Sequence, residues 1–137
     1  MKSLLNEINL DWAPKKLKKG QKTNLTITLT IPKDIHIQAH KPAEELLIPT
    51  KIELEKKVGL SFGQPIYPKP KELPTSWSEV KLLVYEGKIN ILIPLEISKD
   101  AKSGEYLVKG NLSYQGCTAK LCLPPKSKQF TLALLIS

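Results

Sequence analysis

Arginine is absent from the chain: all 21 basic residues are lysines. Proteins that read nucleic acid lean on the planar Arg fork, which pairs with phosphate and guanine. A net charge of +8, from 21 basic and 13 acidic residues, therefore reads as a solvated Lys-rich surface, and no nucleic-acid partner is expected. The densest cluster, Lys15, Lys16, Lys18, Lys19 and Lys22, lies beside Pro14 and Gly20, as a solvated turn would. Long apolar runs are also missing. None approaches the ~20 residues of a bilayer-crossing helix. No signal peptide is visible, because Asn6, Glu7, Asn9 and Asp11 interrupt any apolar stretch near Met1. The chain is then either cytosolic or a domain whose targeting and membrane parts lie elsewhere, and the cysteines must arbitrate. Eleven scattered prolines exclude a long helical bundle, and 41% hydrophobic residues, evenly spread, exclude a disordered chain. At 137 residues, one domain over 1–137 is expected.

What is present is alternation with period two. Thr23 to Ile31 places Leu25, Ile27, Leu29 and Ile31 on one face and Thr or Asn on the other, which is the pattern of a strand with one face buried. Lys88 to Ile97 repeats it with Ile89, Ile91, Ile93, Leu95 and Ile97. Val80 to Tyr85, Glu105 to Tyr114 and Gln129 to Ile136 follow, with weaker strands at Leu4 to Leu10, Ile35 to Ala39 and Lys51 to Glu55. Turn residues such as Pro32-Lys33-Asp34 and Glu86-Gly87 separate them. Seven or more short strands predict an all-β, immunoglobulin-like antiparallel sandwich. Helical spacing is confined to single turns near Pro42 to Leu47 or Thr75 to Ser78. Gly59 to Pro74, with four prolines and two glycines, reads as a long functional loop.

The two cysteines, Cys117 and Cys122, lie in YQGCTAKLCLPP between two predicted strands. If those strands are hairpin neighbours, the cysteines face each other across the tip within disulfide reach. Three readings are open. A staple across so short a loop contributes only ~2 kcal/mol in the chain-entropy estimate. A zinc site is loosely spaced and lacks a second cysteine pair, and His36 and His40 on one strand lie ~13 Å apart, too far for one ion. An accessible pair could instead cycle between dithiol and disulfide. Lys120, Lys126 and Lys128 add positive charge that favours a thiolate, though solvated surface charge explains each of them equally well.

The segment YQGCTAKLCLPPKSKQFTL resembles the active-site hairpin of the N-terminal periplasmic domain of the thiol:disulfide interchange protein DsbD family. There a Tyr-Gln-Gly-Cys motif precedes a second Cys and a Pro-Pro pair before the last strand. The sharp match covers Tyr114 to Pro125, and the order of elements agrees over most of the chain. The resemblance implies an immunoglobulin-like periplasmic domain, without a cofactor, in a system that passes reducing equivalents outward across a bacterial inner membrane. Electrons come from a thioredoxin-like domain fed by a membrane-embedded one. They leave to thioredoxin-like proteins that isomerise disulfides or serve cytochrome c maturation. The chain is expected to act as a monomer and to meet the membrane only through other parts of a longer protein. The resemblance makes Cys122 the partner-facing cysteine that forms the mixed disulfide and Cys117 the resolving one.

The family also carries an aromatic-tipped cap loop that shields the cysteines. Its counterpart would lie within Gly59 to Tyr67, with Phe62 and Gly63 the closest match and Tyr67 a further candidate shield. Gly59, Leu60 and Ser61 replace the acidic residues and first aromatic of the family pattern, so the family's acidic tuning of the cysteines is not carried over to these positions. Core packing is the competing reading for both aromatics. The strand Ile35 to His40 corresponds to one that supplies tyrosines near the cysteines. Here His36 and His40 stand in that region, either as proton carriers or as exposed strand histidines.

Overall fold

The computed structural model describes residues 8–77 and 79–137, and every regular element among them is a strand. In chain order these are β1 (Asn9–Ala13), β2 (Lys16–Leu17), β3 (Lys22–Thr30), β4 (His36–Gln38), β5 (Lys51–Leu54) and β6 (Leu60–Phe62). There follow β7 (Lys71–Leu73), β8 (Leu82–Tyr85), β9 (Lys88–Ile97), β10 (Gly104–Tyr114), β11 (Gly116–Cys117) and β12 (Lys126–Ile136). They hydrogen-bond in three arrays, ordered β1-β3-β9-β6, β2-β12-β10-β5 and β11-β4-β8-β7. All pairings are antiparallel except the short parallel contact of β12 with β2. The result is an immunoglobulin-like sandwich.

The period-two faces build its interior. Leu25, Ile27 and Leu29 of β3 and Ile91, Ile93, Leu95 and Ile97 of β9 are buried, and meet Val108, Leu112, Leu132, Leu134 and Ile136 from β10 and β12 in one cluster. Each fully buried aliphatic side chain contributes roughly 1.5–3 kcal/mol, so these alternating positions drive assembly of the layers. The antiparallel β3–β9 ladder runs from Lys22↔Glu96 to Thr30↔Lys88, and Gly87, at a φ of 66°, takes the left-handed turn conformation between β8 and β9. At Gly110 a Cβ would lie 2.4 Å from the Phe130 ring, so glycine there lets the cross-strand aromatic lie flat on β10.

Three expectations change, and one holds. The lysine cluster is not wholly a turn: Leu17 is buried and carries β2, whose neighbours Lys15 O and Leu17 O accept from Leu135 N and Ser137 N at 2.8 and 3.0 Å. The lysines themselves stay exposed around a turn in which Lys18 O accepts from Gln21 N. Gly59 to Pro74 is not a single loop, because it contains β6 and β7. Each is a three-residue strand, too short for periodicity to reveal beside four prolines. The first strand among the described residues is Asn9–Ala13, which runs past the expected end at Leu10, and residues 4–7 of the expected Leu4 to Leu10 strand lie outside the described ones. Near Pro42 to Leu47 a turn does form, with Glu44 O accepting from Leu47 N, and Thr75 to Trp77 bends without a helix, Ser78 being undescribed.

Candidate functional site: a disulfide at the junction of two sheets

β10 and β12 pair over eleven positions, from Gly104↔Ile136 to Tyr114↔Lys126. Past Tyr114 the chain leaves this hairpin and joins the third array, where Gly116 pairs with Ile37 and Cys117 with His36. The cysteines therefore sit where the hairpin tip crosses from one sheet to another. Gln115 fixes the crossing. Its carbonyl accepts from Gln38 N at 3.0 Å, its Oε1 accepts from Ile48 N at 2.8 Å, and its Nε2 donates to Leu123 O at 3.1 Å.

Between the cysteines the chain closes on itself. Thr118 N donates to Leu121 O at 2.8 Å, and Thr118 Oγ1 accepts from Lys120 N and Leu121 N. This side-chain-closed turn brings the Cα atoms of Cys117 and Cys122 to 4.0 Å, and the two are joined in a disulfide. Leu123 N then donates to Gly116 O at 2.8 Å and returns the chain toward β12.

The two sulfurs occupy different surroundings. Cys117 is fully buried in a small apolar cluster with Leu82 and Val84 of β8, against which Leu47 and Leu73 pack. Cys122 is only half-buried, and its neighbour Leu121 is 51% exposed. Thiol–disulfide exchange requires in-line access to a sulfur, and Cys122 is the more exposed of the two.

Gln38, which the sequence reading passed over, lies against the sulfurs. Its Nε2 stands 2.9 Å from Cys117 Sγ and 3.8 Å from Cys122 Sγ. The residue is wholly buried, its carbonyl accepts from Thr50 Oγ1 at 2.5 Å, and its Oε1 has no partner among the described residues. The available signal was its place between His36 and His40 on the polar register of the strand that runs beside the cysteines. Titratability drew attention to the histidines instead.

Those histidines are not exposed, and neither is turned on the disulfide. His36 Nε2 pairs with Glu86 Oε2 at 2.8 Å, its side chain 19% exposed, and its Nδ1 is buried without a partner among the described residues. Lys71 Nζ reaches the other Glu86 oxygen at 2.7 Å. These two hydrogen bonds, Lys71 first, hold the Glu86 carboxyl below the usual carboxylate range. His40 stacks on Tyr67 with centroids 3.8 Å apart, and its Nδ1 lies 3.1 Å from Thr50 O. Burial raises the Tyr67 phenol above its ordinary value although its oxygen accepts from Ile52 N at 3.0 Å. Lys120 is exposed on the turn between the cysteines.

Phe62, Gly63 and Tyr67 form a separate group. Phe62 and Tyr67 pack against the main core and, with Gly63 and His40, line a different concavity of about 800 Å³ beside β5 and β6. Gly63 N donates to Pro94 O at 2.8 Å and Phe62 pairs with Leu95, so this segment is an edge of the first array. Leu47 and Leu73 pack on the cluster that holds Cys117, and the loop after β7 touches the cysteine turn, where Ser76 N donates to Ala119 O at 3.4 Å.

An immunoglobulin-like sandwich with a disulfide in the turn of its last hairpin, one sulfur sealed and one reachable, defines a class of disulfide-carrying β-domains. Comparison with known proteins narrows the class. The family model described as thiol:disulfide interchange protein DsbD, N-terminal, matches residues 7–134, and the chain belongs to that family, whose activity is thiol–disulfide exchange. Among solved structures, the reduced DsbD N-terminal domain of Neisseria meningitidis aligns with a TM-score of 0.59 at 16% identity, over 98% of this chain and 91% of that one. The N-terminal periplasmic domain of ScsB from Proteus mirabilis gives 0.56 at 16% identity, over 85% of this chain and 42% of that one. A complex of the DsbD and PilB N-terminal domains of Neisseria meningitidis gives 0.51 at 19% identity, over 79% and 73%. At these identities the likeness concerns the fold. No curated protein matches the chain.

Proposed function

We propose that the domain formed by residues 1–137 relays reducing equivalents in the periplasm, accepting them from a thioredoxin-like donor and delivering them to thioredoxin-like acceptors through Cys117 and Cys122. The observation that carries this reading is the asymmetry of the disulfide: Cys122 half-buried on a turn, Cys117 sealed beneath it. Family membership and the solved DsbD–PilB complex support a thioredoxin-like partner and a periplasmic setting. In the oxidising step a Cys122 thiolate attacks an acceptor disulfide, and Cys117 then attacks Cys122 Sγ and releases the reduced acceptor, so two electrons leave and the Cys117–Cys122 bond re-forms. Leu47 and Leu73 shield Cys117, and the exposed Leu121 and Trp77, on the cysteine turn and on the loop that touches it, form an apolar rim for the partner.

The test is a trapping experiment. With Cys117→Ala, Cys122 has no resolving partner and accumulates as a covalent adduct with a thioredoxin-like protein; with Cys122→Ala no adduct forms. Equal adducts from both variants, or none from either, reject the assignment.

A further inference from the structure

We propose that Gln38 is a catalytic residue of the exchange reaction, its side-chain amide stabilising the Cys117 thiolate that departs when the disulfide opens. The inference rests on the exchange reading above and extends it to a residue which that reading does not require. When an external thiolate attacks Cys122 Sγ, a new bond forms from that sulfur to Cys122 and the Cys117–Cys122 bond breaks. The electron pair remains on Cys117. A thiolate generated in an apolar cluster is costly, because burial disfavours the charged form, and a thiol of high pKa is a slow leaving group. Cys117 is wholly buried among Leu82, Val84, Leu47 and Leu73, so the leaving sulfur needs a local donor.

Gln38 supplies one. Its Nε2 is 2.9 Å from Cys117 Sγ and 3.8 Å from Cys122 Sγ, so it sits on the leaving sulfur rather than the attacked one. It is held there before reaction. Its backbone N donates to Gln115 O, its carbonyl accepts from Thr50 Oγ1, and β4 pairs with β11 on one side and β8 on the other. Hydrogen bonds to an ionised acceptor are roughly twice as strong as those to a neutral one, so the amide favours the open, ionised state over the disulfide. The other charged groups around Cys117 are placed differently. His36, its cross-strand neighbour, is turned to Glu86, which Lys71 also holds, and Lys120 is exposed on the turn. The arrangement is an oxyanion hole transposed to sulfur, preorganised and buried.

The decisive measurement is the ionisation of Cys117 as a lone thiol in Cys122→Ser, followed by thiolate absorbance against pH. Adding Gln38→Met, close in size but without a donor, should raise the Cys117 pKa by about one unit, a tenfold loss of thiolate at a fixed pH below it. In the two-cysteine protein, at a pH where Cys117 is ionised with either residue at position 38, the same substitution should lower the reduction potential by about 30 mV, the equivalent of tenfold in the glutathione equilibrium. An unchanged pKa in a folded Gln38→Met protein overturns the proposal. A second measurement needs no change at Gln38: in Cys122→Ser, the Gln38 side-chain amide protons should move downfield with the Cys117 titration, and a flat amide signal overturns it equally. Because Cys117 ionisation is read without any partner protein, failure of the exchange reading would appear in the trapping experiment and not here.

Discussion

Gln115 ties three segments to the disulfide turn through one carbonyl and one side-chain amide. Each bond satisfies a backbone group that the crossing from β10 to β11 would otherwise leave unpaired, which is why a glutamine precedes the Gly-Cys step. Gln115→Ala should therefore cost roughly 1–3 kcal/mol in urea unfolding, because it strands Ile48 N and Leu123 O in a half-buried setting. Glu86 supports a pH prediction. Its folded carboxyl titrates below its unfolded value, so its contribution is fully present above the unfolded pKa, near 4.3, and is lost as pH falls through the folded one. Stability curves of the wild type and Glu86→Gln should converge as pH drops from about 5 to 3 and stay parallel above that. Parallel curves throughout would remove the Lys71–Glu86–His36 link from the stability account.

Among the elements, β7 is the one whose length and position conceal its role. Its three residues pair with β8, and Leu73 lies on the Cys117 cluster. Leu73→Ala should speed reduction of the disulfide by a small thiol several-fold and cost roughly 1–2 kcal/mol, below the full-burial figure for leucine. Phe62→Ala should leave that rate unchanged, because Phe62 packs against the other cluster. Equal acceleration by both substitutions would place the shield back at β6. The long strands were legible in the sequence because β3, β9, β10 and β12 each repeat the alternation over nine or more residues. The cysteine hairpin was legible from its motif. Strands of two or three residues such as β2, β6 and β7 carry too few alternations to register. Gln38 was hidden for a different reason. An amide has no titration to attract notice, and its value comes from β4 lying beside β11, a contact of residues 79 positions apart.

For the molecule as a whole, the sandwich acts as a rigid mount. The core clusters hold the three arrays, and the last hairpin hands its tip from the second array to the third, so the disulfide is fixed by pairing on β4 while one sulfur remains reachable. A bridge meant only to secure a hairpin of this size would contribute little, about 2 kcal/mol, and would gain nothing from a buried amide placed on one sulfur. The most direct test of exchange is a titration of the Cys117–Cys122 couple against glutathione. The account predicts a reduction potential above about −300 mV and complete, reversible opening of the bond with the fold intact; a potential well below that value, with the bond resisting reduction until the protein unfolds, would contradict it.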